Sequence, residues 1–164
     1  HPAKTAQDLL RLVPGLFVAQ HQGGGKAEGL ALRGFDADHG TDVSIFACGH
    51  LVWNAIQAGI QLEEKGLSVE VINIHTIKPL DEAAVIASLK KTRCAVTAEE
   101  HNIIGGLGDS IAQCSSKNYP VPIEFIGTKD TFGESGKPLE LLVKYGLDSD
   151  NIVKTALKAI ERKK

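Results

Sequence analysis

The sequence predicts an α/β fold on a parallel sheet, and two observations carry that prediction. From Asp42 onward, short apolar runs alternate with segments of helical spacing, which is the pattern of βαβ units. The runs VSIFAC, VEVINI and CAVTAEE are strand-like and rich in apolar residues, which implies burial on both faces of the kind that crossover helices produce.

The elements follow in order. TAQDLLRLVPGL carries helical spacing at Leu9, Leu10, Leu12 and Val13 until Pro14-Gly15 stops it. FVAQ fits a short strand, and Gln22 to Gly25 fits a flexible joint. Residues 1–25 therefore read as a poorly determined lead-in or linker, and residues 26–164 as the regular domain. GLALRGF fits a short edge strand, FDADHGTD a polar turn, and VSIFACG the first clear strand. A helix from about Leu51 to Lys65 places Val52, Ala55, Ile56, Gly59 and Ile60 on one stripe and ends at Lys65-Gly66.

VEVINI is the next strand, and Pro79 leads into a helix from Leu80 to Lys91 with Asp81 and Glu82 in its first turn. CAVTAEE, a helix after Gly106, and the strand IEFIGT complete the alternation. A short helix begins at Pro138 with Gly146 as its C-cap. Asp148 or Ser149 caps a final helix with Ile152, Val153, Ala156, Leu157 and Ile160 on one face. The simplest architecture from this pattern is one α/β layer sandwich.

Composition narrows the function classes. A length of 164 residues suits one domain with a substantial core. The net charge of −2, without a Lys/Arg stripe interleaved with aromatics, argues against a nucleic-acid partner. Apolar runs stay far short of the ~18 residues that span a bilayer, so no membrane partner is expected. Cys48, Cys94 and Cys114 lie apart with no C-x-x-C spacing, which fits a reduced, cytoplasmic compartment.

The richest stretch is AVTAEEHNIIGGLGDSIA, residues 95–112. It runs from a strand through Glu99, Glu100 and His101 into Gly105, Gly106 and Gly108 at a helix start. The carboxylates and imidazole fit proton transfer or metal binding, with His101 the weak catalytic candidate. They equally fit hydrogen bonding at a strand end or domain interface, because adjacent glutamates on a strand point opposite ways. The glycines fit a phosphate cradle or close packing of a helix.

His50 and His75 follow the first two strong strands at the edge where α/β ligand sites gather, but each also fits a packed or turn-fixing residue. Cys48 lacks a matched base and reads as a buried thiol. The polar loop Asp130–Gly136 fits a partner contact or a plain turn.

Four blocks, in order, carry a family resemblance: GTDVSIFACGHLVWNAIQAG, VEVINIHTIKPLD, VTAEEHNIIGGLGDSIA and FGESGKPLELLVKYGLDSDNI. Together they resemble the C-terminal domain of transketolases, over roughly residues 41–162, and above all the separate C-terminal section of split transketolases. Deoxyxylulose-phosphate synthase and the pyruvate dehydrogenase beta subunit share the strand-to-glycine block, but the YGL-x-x-x-x-I ending favours transketolase.

The resemblance implies a three-layer α/β/α sandwich with a five-stranded mixed, mostly parallel sheet, whose antiparallel first edge strand would be Leu30 to Phe35. It implies a parent enzyme, a homodimer in the pentose phosphate pathway, that transfers a two-carbon ketol unit between sugar phosphates. That enzyme uses thiamine diphosphate and a divalent metal, Mg, bound by other domains. The family's diphosphate motif, Gly-Asp-Gly followed by Asn-Asn, is absent here, and no residue inherits a catalytic role by motif.

Two function classes stand open. One is an assembly-supporting domain that is not catalytic alone, with Glu99, Glu100, His101, Gly105, Gly106, Gly108, His50 and His75 at an interface or beside the site. The other is an independent phosphate- or nucleotide-binding module, or the C-terminal domain of a related thiamine-dependent enzyme such as deoxyxylulose-phosphate synthase.

Overall fold

The computed structural model describes the backbone of residues 16–20 and 28–32 and the whole of residues 41–163. The first helical pattern, the glycine joint and most of the FDADHGTD turn lie outside the described residues.

Among the described residues six strands form one sheet: β1 Leu16–Gln20, β2 Glu28–Leu32, β3 Val43–Ala47, β4 Val69–Asn73, β5 Ala95–Asn102 and β6 Ile123–Thr128, in the order β1-β2-β4-β3-β5-β6. Strands β3 to β6 are parallel, β2 runs antiparallel to β4, and β1 runs antiparallel to β2. The mixed, mostly parallel sheet agrees with the sequence expectation and differs in strand count. The antiparallel strand, Glu28–Leu32, begins two residues before the expected Leu30, with 33–35 outside the described residues, and it is not an edge, because β1 pairs along its outer side from Leu16↔Leu32 to Gln20↔Glu28. A strand with one unpaired side exposes a row of backbone N–H and C=O groups, and β1 satisfies them.

Among the described residues five helices flank the sheet: α1 Leu51–Glu64, α2 Glu82–Thr92, α3 Leu107–Asn118, α4 Pro138–Lys144 and α5 Ser149–Arg162. Strand alternation splits the core in two. Val43, Ile45 and Ala47 pack with Leu51, Ala55 and Ile56 of α1 and Ile152 and Ala156 of α5. Phe46 and Cys48 point the other way, toward Val85 and Leu89 of α2 and Leu107 and Ile111 of α3. All five residues of β3 are buried, as a run apolar at every position but Ser44 requires when helices cover both faces.

One polar thread crosses the second core. Ser44 Oγ lies 2.6 Å from Ser88 Oγ and 2.7 Å from Thr92 Oγ1, and Ser88 donates to Glu70 at 2.7 Å. Lys91 completes it, donating to Glu70 at 3.1 Å. Every buried hydroxyl of the thread thus has a partner, which is the condition for tolerating it in a core.

Helix ends follow local chemistry. Asp81 accepts from Ala84 N–H at 3.1 Å, so α2 begins at Glu82, two residues later than its apolar spacing suggests. Asp148 caps α5 by accepting from Asn151 N–H at 2.8 Å. Gly146, at φ +68°, turns the chain out of α4 while Leu147 N–H donates to Leu142 C=O at 2.7 Å. Among the described residues no helix is long and apolar enough to cross a membrane.

Candidate functional site

The C-terminal edge of the parallel strands gathers the sequence-predicted residues. His50 follows β3, His75 follows β4, and Glu99, Glu100 and His101 lie within β5. Strand β5 runs to Asn102, two residues beyond Glu100, because β6 stays paired with it as far as Asn102↔Thr128 after a register shift past Ala98. Such an irregularity re-aims the side chains that follow it.

The two glutamates take opposite faces. Glu99 is fully buried and turns toward α3, where its two carboxylate oxygens accept from Leu107 N–H at 2.7 Å and Gly108 N–H at 2.8 Å. These are first-turn amides with no intrahelical acceptor, and the helix dipole favours a negative charge there. Glu100 points outward and meets His50 Nδ1 at 3.0 Å, with the histidine 86% and the glutamate 47% exposed. A pair this wet contributes at most about 1 kcal/mol.

The glycines are shaped around that burial. A Cβ on Gly106 would overlap Glu99 Oε2 and stand 2.7 Å from its Cδ, and one on Gly108 would stand 2.7 Å from Phe125 and 3.1 Å from Thr97 Oγ1. Gly105 is glycine for a different reason: its φ of +84° belongs to the left-handed region. The structure thus joins Glu99 with Gly106 and Gly108, and His50 with Glu100. His75 is exposed and bonds its neighbour Thr76 at 3.1 Å, and His101 is exposed on β5.

Two residues not singled out in the sequence hold the connecting loop. Asn102 accepts from Ile104 N–H at 2.9 Å, and Asp109 accepts from Gly105 N–H at 2.6 Å. Both carried a local signal: an Asx turn at the end of a strand, and an acid in a helix's first turn.

Cys48 is buried near Glu99, and burial first, then the adjacent carboxylate, pushes its thiol up to about 11. A thiol that stays neutral near pH 8 is a poor nucleophile. Iodoacetamide at pH 8 is therefore expected to leave native Cys48 unlabelled while labelling it in urea, as peptide mass spectrometry would read. Because the folded state holds this proton above the usual value of 9.0, its contribution to stability falls as pH rises from about 9 through about 11.

The family model for the transketolase C-terminal domain matches residues 35–152. The chain belongs to the transketolase C-terminal domain family. It is 45% identical over 124 residues to the 6-deoxy-6-sulfo-D-fructose transketolase subunit SqwH of Clostridium sp. (strain MSTE9), covering 76% of this chain and 38% of that protein. It is 40% identical over 123 residues to an apulose-4-phosphate transketolase subunit of Phocaeicola vulgatus, covering 75% and 39%. Among solved structures it resembles a split-gene transketolase, an inactive beta4 tetramer, with TM-score 0.74 and 40% identity over 77% of this chain and 41% of that one. The chain spans about two fifths of the length of these relatives.

Membership makes thiamine diphosphate and a divalent metal the groups to test against this edge. They do not fit it. The N–H groups of Leu107 and Gly108 that a diphosphate would need are already bonded to Glu99, and the carboxylate would repel the incoming charge. Among the described residues no group of three His, Cys, Asp or Glu is placed to hold a metal ion.

Proposed function

We propose that this chain is the assembly-supporting C-terminal section of a transketolase that transfers a two-carbon ketol unit between sugar phosphates, and that it is not catalytic alone. The observation that carries this reading is its similarity to proteins that are themselves transketolase subunits, over about two fifths of their length. Thiamine diphosphate and Mg belong, on this reading, to the companion section, as does the chemistry. The domain proper is residues 26–164, the complete enzyme is a cytoplasmic homodimer in the pentose phosphate pathway, and the residues at the sheet edge, His50, His75, Glu100 and His101, face the companion.

The surface supports a docking role. Phe132 is 99% exposed, Leu139 and Val143 of α4 are 77% and 66% exposed, and α4 buries no residue at all. Apolar side chains grouped in this way mark interaction surfaces.

The experiment is reconstitution. The purified chain is expected to show no ketol transfer, and the enzyme that also carries the part of the relatives' length this chain does not span, together with the thiamine-binding companion, is expected to show it. Ketol transfer by this chain alone would refute the reading.

One observation favours the alternative of a small-ligand module. A groove of about 420 Å³ between β6, α4 and α5 is lined by Lys129, Lys144, Tyr145, Thr155 and Lys158, which is within the size of small-molecule sites. Lys144 is held by Glu134, and Lys158 by Glu124, so much of its positive charge is already compensated. Calorimetric titration with sugar phosphates and nucleotides separates the two readings, because saturable binding to the isolated chain belongs to the alternative.

A further inference from the structure

Glu99 is a wholly buried carboxylate, and among the described residues no lysine, arginine or histidine forms a salt bridge with it. A buried charge of this kind costs several kcal/mol unless donors replace the lost water. Here the donors are two backbone N–H groups at the start of a twelve-residue helix, each on its own carboxylate oxygen. This is the arrangement by which glycine-rich loops hold a phosphate or carboxylate from outside.

A second observation points to the same place. Thr97 is fully buried, its Oγ1 has no hydrogen-bond partner, and it stands 3.1 Å from where a Gly108 Cβ would be. Its unused hydroxyl is therefore directed at the helix start. Thr97 and Glu99 are two apart on β5 and so share a face of the sheet.

We propose that the start of α3 is an anion-binding loop whose seat is filled by the chain's own Glu99, and that removing this carboxylate opens the seat to a small external carboxylate. Glu99 is on this account a positioning residue. It fixes where β5 meets α3 and so where Glu100, His101 and the loop to Gly106 stand. The glycine motif is an anion motif after all, with its anion supplied from eight residues upstream. This inference concerns the occupant of the motif and stands whether or not the assembly role holds.

Glu99→Ala removes a fragment the size of acetate, which sets the probe. Thermal unfolding of the full 164-residue chain is measured in sodium acetate and in sodium chloride at equal ionic strength, for the wild type and the variant. Acetate is expected to raise the midpoint of the variant by about 2–4 °C over chloride, and to leave that of the wild type unchanged. Equal responses of the two proteins overturn the proposal.

Glu99→Gln keeps the shape but sets an NH₂ group against one N–H, so it is expected to unfold below the wild type without responding to acetate. A glutamine variant as stable as the wild type overturns the need for a charged occupant. Should the alanine variant fail to fold, hydrogen exchange in the wild type decides. Leu107 and Gly108 amides are expected to exchange as slowly as interior ones, and exchange at the rate of open helix-start amides overturns the proposal.

Discussion

Gly106→Ala is expected to destabilise the chain by about 3–5 kcal/mol, more than any usual helix-cap change, because one methyl group displaces a buried charge. The Cβ would overlap Glu99 Oε2. Glu99 is fully buried within β5, and its neighbours on both sides belong to the same strand, so the carboxylate cannot withdraw to water without shifting the strand. Either it leaves its two donors, or α3 moves away from it. Both outcomes break charge-assisted hydrogen bonds worth about 1.5–3 kcal/mol each. Urea unfolding would read the loss as a lower midpoint with an unchanged slope. Gly105→Ala is the control: its added Cβ meets no atom within 4 Å, so only the left-handed backbone cost of about 1 kcal/mol applies. If the two variants were equally stable, the account of why glycine occupies position 106 would be wrong.

Phe46→Ala is expected to cost a similar amount, about 3–5 kcal/mol, for an unrelated reason. Phe46 is wholly buried in the middle of β3, between β4 and β5, and its ring fills the core under α2 and α3. Truncation leaves a cavity that a strand paired on both sides cannot collapse around. The neighbouring position on the same face offers a contrast. Ser44→Ala removes a hydroxyl from the polar thread, yet Ser88 keeps Glu70, and Thr92 keeps the carbonyls of Ser88 and Cys94 as acceptors. Its expected cost is about 1 kcal/mol. The ordering of the two variants in denaturant, rather than either value, is the check.

The parallel strands were legible because their burial on both faces leaves its mark in composition. VSIFA, VEVIN and IEFIGT became β3, β4 and β6 with their cores as written. Helix α1 was legible through its stripe, although Leu51, Ala58 and Leu62 share the burial with Ala55, Ile56 and Gly59. This broad buried set follows from α1 packing on both the sheet and α5. The extension of β5 to Asn102 was not legible, since it depends on a partner at Thr128. Nor was the position of β1, because a five-residue strand, LFVAQ, carries no information about which strand it will pair with.

At the candidate site, residue order determines parity but not direction. That Glu99 and Glu100 face opposite ways follows from strand geometry. Which of them turns inward depends on where the helix starts stand in space. The phosphate-cradle reading of the glycines and the proton-transfer reading of the glutamates were both natural from residue types alone. Neither could take account of a side chain eight residues away supplying the anion to the loop.

The opposed glutamates have a mechanical consequence. Glu99 grips the first turn of α3 on one side of the sheet, and Glu100 holds His50, the residue that precedes α1, on the other. A single peptide unit therefore connects the starts of two helices that never touch the same face. Strain applied to the start of α3, by a companion chain or by a substitution, has a covalent route toward the opposite layer through that one planar link, a route that is weak at its far end because the His50 pair is exposed. The strand end works as a short lever across the thickness of the sheet, and its two arms are adjacent letters of the sequence.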